Sequence, residues 1–201
     1  MVKGTERSFR EGHSDSERGV GFMANESRPT EKKANGVKIV SACFAGINCR
    51  YDKKHNRIEE IRKLVREGDA IPVCPEQMGG LPTPRNPAEI VGGDGEDVLD
   101  GKAKVIDNQG NDVTRQFVEG AREALAMAQA VGATEAILKE RSPSCGSCMI
   151  YDGTFSKSKK AGLGVTGALL RRHGIRVVSE ETWQGKEEGK EEGKEEGKEG
   201  S

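Results

Sequence analysis

The chain has 201 residues, enough for one domain of ordinary size with tails. Hydrophobic residues make up 33% and charged residues 32%, a polar balance that comes mostly from the two ends and leaves a core-forming middle. The net charge of −1 argues for neither nucleic-acid nor membrane binding, and no apolar run is long enough to span a bilayer.

The N-terminus carries charges but no apolar stretch or small-residue cleavage site, so a cytoplasmic location is expected. In that compartment five cysteines read as ligands, nucleophiles or buried thiols rather than as a disulfide framework. Residues 1–36 mix Arg, Glu, Ser, Gly and Lys without apolar periodicity, which predicts a disordered extension; His13 falls in it, and Met23 is a candidate start of a shorter form.

Val37 to Ala42 predicts a first strand, short and apolar as a central parallel strand would be. A loop from Cys43 to Asp52 follows, then a helix from Asn56, a good N-cap, to Glu67, with Ile58, Ile61, Leu64 and Val65 as its buried stripe. Ala70 to Cys74 is the second strand, so the three elements form a βαβ unit with parallel strands. Pro75 to Ile90 holds four of the seven prolines and reads as a long, shaped loop.

Ala103 to Ile106, with a turn at Asp107–Gly110, predicts a small local hairpin. Asp112 or Thr114 should cap an amphipathic helix bearing Phe117, Ala121, Ala124, Leu125, Ala128 and Val131, ended by Gly132. Ala136 to Leu138 is the third strand, and Gly164 to Leu170 starts a last helix ahead of a fourth strand, Ile175 to Val178. After Trp183, Gly-Lys-Glu-Glu repeats predict a solvated tail over 184–201. The expected fold is α/β: one three-layer, Rossmann-like domain over 37–183 with a mainly parallel sheet.

The most informative stretch is Glu140-Arg141-Ser142-Pro143-Ser144-Cys145-Gly146-Ser147-Cys148, a thiol in a Ser/Pro/Gly turn directly after a strand. Cys43 and Cys74 also follow short strands. If the three strands are parallel, all three thiols converge on the carboxyl edge of the sheet, where open α/β folds bind ligands. Three thiolates suit a soft metal: zinc, copper or an iron–sulfur cluster. With Cys49 or Cys148 added, the set becomes a closed four-ligand site; with three, one metal position stays open.

A single cysteine at a strand end is commonly just a small buried hydrophobe; three in equivalent positions point to a site. Cys145 and Cys148 also have the spacing of a dithiol redox pair, although Ile150-Tyr151-Asp152-Gly153 after them reads as extended rather than helical. Glu76 is a candidate general base or proton shuttle, with a cap or loop hydrogen bond as the plainer role. Ser142 and Ser144 flank the third thiol, either as substrate donors or as turn formers. Arg50, Arg85 and Arg141 are candidates for an anionic or planar ligand, and Asp52 and Tyr151 are weaker ones. Gly162-Leu163-Gly164-Val165-Thr166-Gly167 superficially resembles a phosphate-binding turn but lacks the P-loop Lys and a first strand before it, so it reads as a loop packed near the site.

Ser41-Ala42-Cys43, Asn48-Cys49-Arg50-Tyr51-Asp52, Val73-Cys74-Pro75-Glu76-Gln77, Gly79-Gly80-Leu81-Pro82-Thr83-Pro84-Arg85, Leu138-Lys139-Glu140-Arg141-Ser142-Pro143-Ser144-Cys145-Gly146 and Tyr151-Asp152-Gly153-Thr154-Phe155 together resemble the thiouracil desulfidase family, across roughly Val37 to Glu181. The resemblance implies an enzyme with a 4Fe–4S cluster held by Cys43, Cys74 and Cys145, its fourth iron open to a thiocarbonyl sulfur. It implies Glu76 as acid/base residue, Ser142 as a substrate-positioning group, and release of hydrosulfide without net redox change. Cys49 and Cys148 would be spare thiols or persulfide carriers. A free 2-thiouracil-like base, a thiolated tRNA fragment or another thiocarbonyl all fit as substrate, so nucleic acid is not required, and no membrane partner is implied. The rival reading is a non-enzymatic metal- or cluster-binding module with a structural or redox-sensing role, which would need neither Glu76 nor Ser142. The oligomeric state is not encoded in these motifs.

Overall fold

A computed structural model describes residues 36–183. Of the expected tails, all but Gly36 lie outside the described residues, as do His13 and Met23. In chain order the elements are β1 (Lys38–Ser41), α1 (Glu59–Arg66), β2 (Ala70–Val73), α2 (Pro75–Met78), β3 (Ala88–Val91), α3 (Gly95–Leu99), β4 (Lys104–Asp107), α4 (Thr114–Ala130), β5 (Glu135–Leu138), β6 (Met149–Tyr151), β7 (Lys159–Ala161), α5 (Val165–Arg172) and β8 (Arg176–Ser179).

The main sheet has four strands in the order β2-β1-β5-β8, and every pairing is parallel. Successive side chains on a strand point to opposite faces, and the cores follow that alternation. Ile39, Ala136 and Leu138 pack with Ala124, Leu125 and Ala128 of α4 and Leu170 of α5. Their neighbours Val40 and Ile137 face the other way, against Phe44 and Ile61 of α1. The result is helix, sheet, helix: the three layers that the βαβ reading predicts.

A third core joins Ile90 of β3 and Val105 of β4 to Phe117 and Ala121 of α4, with Ile150 and Val165. It corrects one expectation. The expected local hairpin is reduced to its turn and one bridge, and the Lys104–Asp107 strand pairs along its length, antiparallel, with Ala88–Val91, at the end of the segment expected as a long loop. Asp107 fixes the turn after this strand. Its carboxylate accepts the backbone N–H groups of Gln109 and Asn111 and the amides of Asn86 and Asn111, at 2.8–3.0 Å. The turn is thereby pinned, the chain makes a single bridge from Asp112 back to Ile106, and it leaves into α4. α3 is a second addition, entered by a capping box in which Asp94 and Asp97 satisfy each other's N–H groups.

A second correction concerns α1, which begins at Glu59 with Ile58 at its N-cap, not at Asn56. The side chain of Asn56 accepts from Arg50 instead, and its backbone N–H donates to the Cys43 carbonyl at 3.0 Å. The Pro-rich segment holds a third surprise, the single turn α2 lying against α4. There two glycines let backbone meet backbone: a Cβ on Gly79 would fall 1.9 Å from the Gln116 carbonyl oxygen, and one on Gly120 1.8 Å from that of Pro75.

Candidate active site

β1 lies between β2 and β5, so the chain leaves β1 on one side for β2 and later returns on the other for β5. That reversal makes a crevice at the carboxyl ends of the strands. Cys43 sits in a 3-10 turn, Ala42–Ala45, directly after β1, and Cys74 directly after β2 as the N-cap of α2. Cys145 stands in the loop after β5. All three line one cavity of about 880 Å³, together with Cys49, Glu76 and Ser142. Cys148 does not line it and is exposed, which separates it from Cys145 as a working partner.

The Cys145 loop is held from three directions. Ser142 Oγ accepts the backbone N–H of Ser144 at 3.2 Å and of Cys145 at 3.1 Å, so this hydroxyl shapes the turn while its own proton stays free to donate. Glu140, buried at 4% exposure, accepts from the Ser147 hydroxyl and from the N–H groups of Ser147, Cys148 and Met149. Burial opposes its charge, but these donors hold its carboxyl below the usual range. On the far side the N-terminus of α5 closes the loop. The N–H groups of Val165, Thr166 and Gly167 donate to the carbonyls of Pro143 and Ser144 at 2.8–3.2 Å. The Gly-rich stretch before α5 is therefore spent on protein carbonyls rather than phosphate, and a Cβ on Gly164 would strike the Ser144 carbonyl at 2.4 Å.

Glu76 is on α2 and forms an ion pair with Arg85, whose side chain is 7% exposed. Arg85 also donates to the carbonyl of Cys49 at 3.0 Å, linking the Pro-rich segment to the thiol cluster. Arg50 pairs with Asp52, and Arg141 with Glu181. Both arginines line the cavity. Tyr151 lines it too, but Asp52 does not; Asp52 acts through Arg50.

Three of the thiols lining the cavity, Cys49, Cys74 and Cys145, are pushed toward the neutral form. Contact with Cys43 and then burial push Cys49 up to about 11, against an opposing contact with Cys74. Cys74 is pushed up by its contact with Cys49 and by burial. Burial pushes Cys145 up to about 11, opposed by the nearby hydroxyls of Ser41 and Ser144. Metal loading must therefore release protons. Among the described residues no three His, Cys, Asp or Glu side chains surround a point as ligands of one metal ion would. Cys49 touches Cys43 and Cys74, whereas Cys145 reaches Cys49 and Cys74 only through longer-range electrostatics. Cys43, Cys49, Cys74 and Cys145 all line the one cavity, a soft donor set of the kind that suits iron or another soft metal.

Two buried carboxylates of the cavity wall hold loops, a role the sequence does not assign to them. One is Glu140, the first residue of the stretch that carries Cys145. The other is Glu89 on β3, which accepts the N–H groups of Gly153 and Phe155 at 3.0 Å each and holds the loop that carries Phe155 and Lys157 to the cavity wall. A carboxylate beside a turn rich in free N–H groups is the sequence signal that would have found Glu140. Nothing local marks Glu89.

A parallel sheet with helices on both faces thus gathers thiols, carboxylates and a hydroxyl around one cavity at its carboxyl edge, the architecture of an α/β enzyme. The chain belongs to the 2-thiouracil desulfurase family, whose model matches residues 39–182. It is 56% identical over 142 residues to YbbK of Bacillus subtilis (strain 168), a protein described as uncharacterized, spanning 71% of this chain and 94% of that one. A solved structure described as a 4Fe–4S-dependent thiouracil desulfidase, TudS, is 47% identical and superposes with a TM-score of 0.65, covering 73% of this chain and 91% of its own.

Proposed function

We propose that the chain is a 4Fe–4S-dependent desulfidase that replaces the sulfur of a thiocarbonyl, on a 2-thiouracil-like base, with oxygen from water. The observation that carries this reading is the meeting of Cys43, Cys74 and Cys145 with Glu76 and Ser142 on one cavity wall. Family membership and the 4Fe–4S dependence of the TudS structure support it. Cys43, Cys74 and Cys145 hold the cluster. When bound it supplies one iron without a protein ligand, a Lewis acid with high affinity for sulfur.

The chain's own residues do the rest. Ser142 turns its free hydroxyl proton toward the substrate while its oxygen fixes the Cys145 turn. Glu76, positioned by Arg85, takes a proton from the incoming water. The balance is one C=S exchanged for one C=O, with water consumed and hydrosulfide and a proton released, so no electrons enter or leave. The apolar wall from Leu81, Val113 and Phe117 accepts the flat face of a base. A purely structural or sensing centre has no use for such a cavity with Glu76 and Ser142 in its wall.

The test is iron and acid-labile sulfide content after anaerobic purification, run beside hydrosulfide release from 2-thiouracil. Wild type should carry about four irons per chain, lost in Cys43→Ala, Cys74→Ala and Cys145→Ala and kept in Cys49→Ala and Cys148→Ala. Zinc, or no metal, in the wild type would overturn the reading.

A further inference from the structure

Among the described residues one buried side-chain polar atom has no hydrogen-bond partner, the Nδ2 of Asn56. It belongs to a residue that lines the cavity beside Cys43, Cys49 and Arg50. Its orientation is determined. Asn56 Oδ1 accepts from Arg50 Nη1, and an arginine has only donors, so the oxygen faces Arg50 and the NH₂ faces away. Arg50 is itself fixed by Asp52, Nε to Oδ1 at 3.1 Å and Nη2 to Oδ2 at 3.2 Å. The backbone of Asn56 is tied to the carbonyl of Cys43 at 3.0 Å, so the amide is anchored to the residue bearing the first thiol.

Buried N–H groups in native proteins almost always have acceptors, because an unpaired one bears its full desolvation cost. The acceptor for Asn56 must be something the cavity takes in. A substrate that comes and goes matches poorly, since it would leave the donor unpaired between turnovers. A resident group matches well. We propose that Asn56 donates a hydrogen bond to sulfur of the iron–sulfur centre on its Cys43 side, with Arg50 and Asp52 setting the direction of the amide. The inference rests on Cys43 being a cluster ligand. Iron-bound sulfur is an anionic acceptor, and a donor to it draws charge away from iron, which raises the reduction potential and makes the metal more electrophilic.

The experiment uses the anaerobically reconstituted full chain as wild type, Asn56→Leu and Arg50→Gln, with Cys43→Ala as a control. Iron and sulfide are counted first. Reduction potential is then measured by spectroelectrochemistry, and iron–sulfur stretching bands by resonance Raman in H₂O and D₂O. Asn56→Leu should keep its iron, show a more negative potential, and lose a deuterium-sensitive band. Arg50→Gln, which frees the amide to turn, should move the same way by less and covers the case in which Asn56→Leu does not fold. Full iron with unchanged potential and bands in the folded variants overturns the proposal. So does an unchanged potential with a loss of discrimination between 2-thiouracil and 2-thiopyrimidine, which lacks the carbonyl, because the donor would then serve substrate. A wild type without cluster, or Cys43→Ala that keeps it, fails at the iron count and shows that the ligand reading itself is at fault.

Discussion

Glu76 and Glu140 are both carboxylates at the carboxyl edge of the sheet, yet their surroundings give them different work. Glu76 meets one guanidinium and the cavity. Glu140 meets a hydroxyl and three backbone N–H groups, and it does not need a substrate to be satisfied. Glu76→Gln should therefore keep its iron and lower hydrosulfide release by about a hundredfold or more, the usual scale for a lost acid/base group; steady-state rates on iron-matched samples measure this. Glu140→Ala should cost on the order of 3 kcal/mol in denaturant unfolding, since it strands several buried donors at once. It should also lower cluster occupancy, because the donors it strands belong to the Cys145 loop. Asp107 supplies a pH signature. Its side-chain bonds with Asn111 and Asn86 hold it at about 2, below an ordinary 3.8. A depressed folded value means stabilisation that is complete above about 3.8 and is lost as pH falls toward about 2. Thermal melts across that window should show a flatter acid limb for Asp107→Asn than for wild type.

At the level of elements, the site depends on close approaches that only glycine allows. α2 has four residues and no independent stability, so Glu76 is placed by the Gly79–Gly120 contact with α4. Gly120→Ala must push α2 away by more than an ångström. The expected result is a folded protein, by far-UV circular dichroism, with reduced turnover and an altered Glu76 environment. Gly164→Ala acts on the other wall by displacing the Cys145 loop, and should reduce iron content more than Gly120→Ala does. Iron assays on the two variants, purified in parallel, would show whether the order is the reverse.

For the molecule as a whole, the proposed assignment of Cys43, Cys74 and Cys145 as ligands requires that the centre and the fold stabilise each other, because the three follow different strands. A group bound only by the native state raises stability by mass action. Removing the iron with a chelator under anaerobic conditions should lower the melting temperature of the wild type by several degrees and leave that of Cys43→Ala nearly unchanged. Equal melting temperatures for loaded and stripped wild type would argue that the thiols do not share one centre.

Much of this was legible from residue order alone. Short apolar runs ending in cysteine identified the parallel strands, since buried strands need little alternation and turns need Gly, Ser and Pro. Strand direction then carried the thiols to one edge. The α4 stripe of Phe117, Ala121, Ala124, Leu125 and Ala128 emerged as core for the same local reason, its helical spacing. Tertiary structure decided what depends on partners distant in sequence. β4 pairs along its length with β3 and by a single bridge with the chain just after its own turn. Asn56 left its cap to meet Arg50. Glu89 and Glu140 became clamps only once loops brought N–H groups to them, and α2 exists because Gly120 lets it dock. Periodicity and turn chemistry act over a few residues and can be read in order; hydrogen-bond satisfaction and close packing are settled between segments tens of residues apart, where the sequence carries no local sign of them.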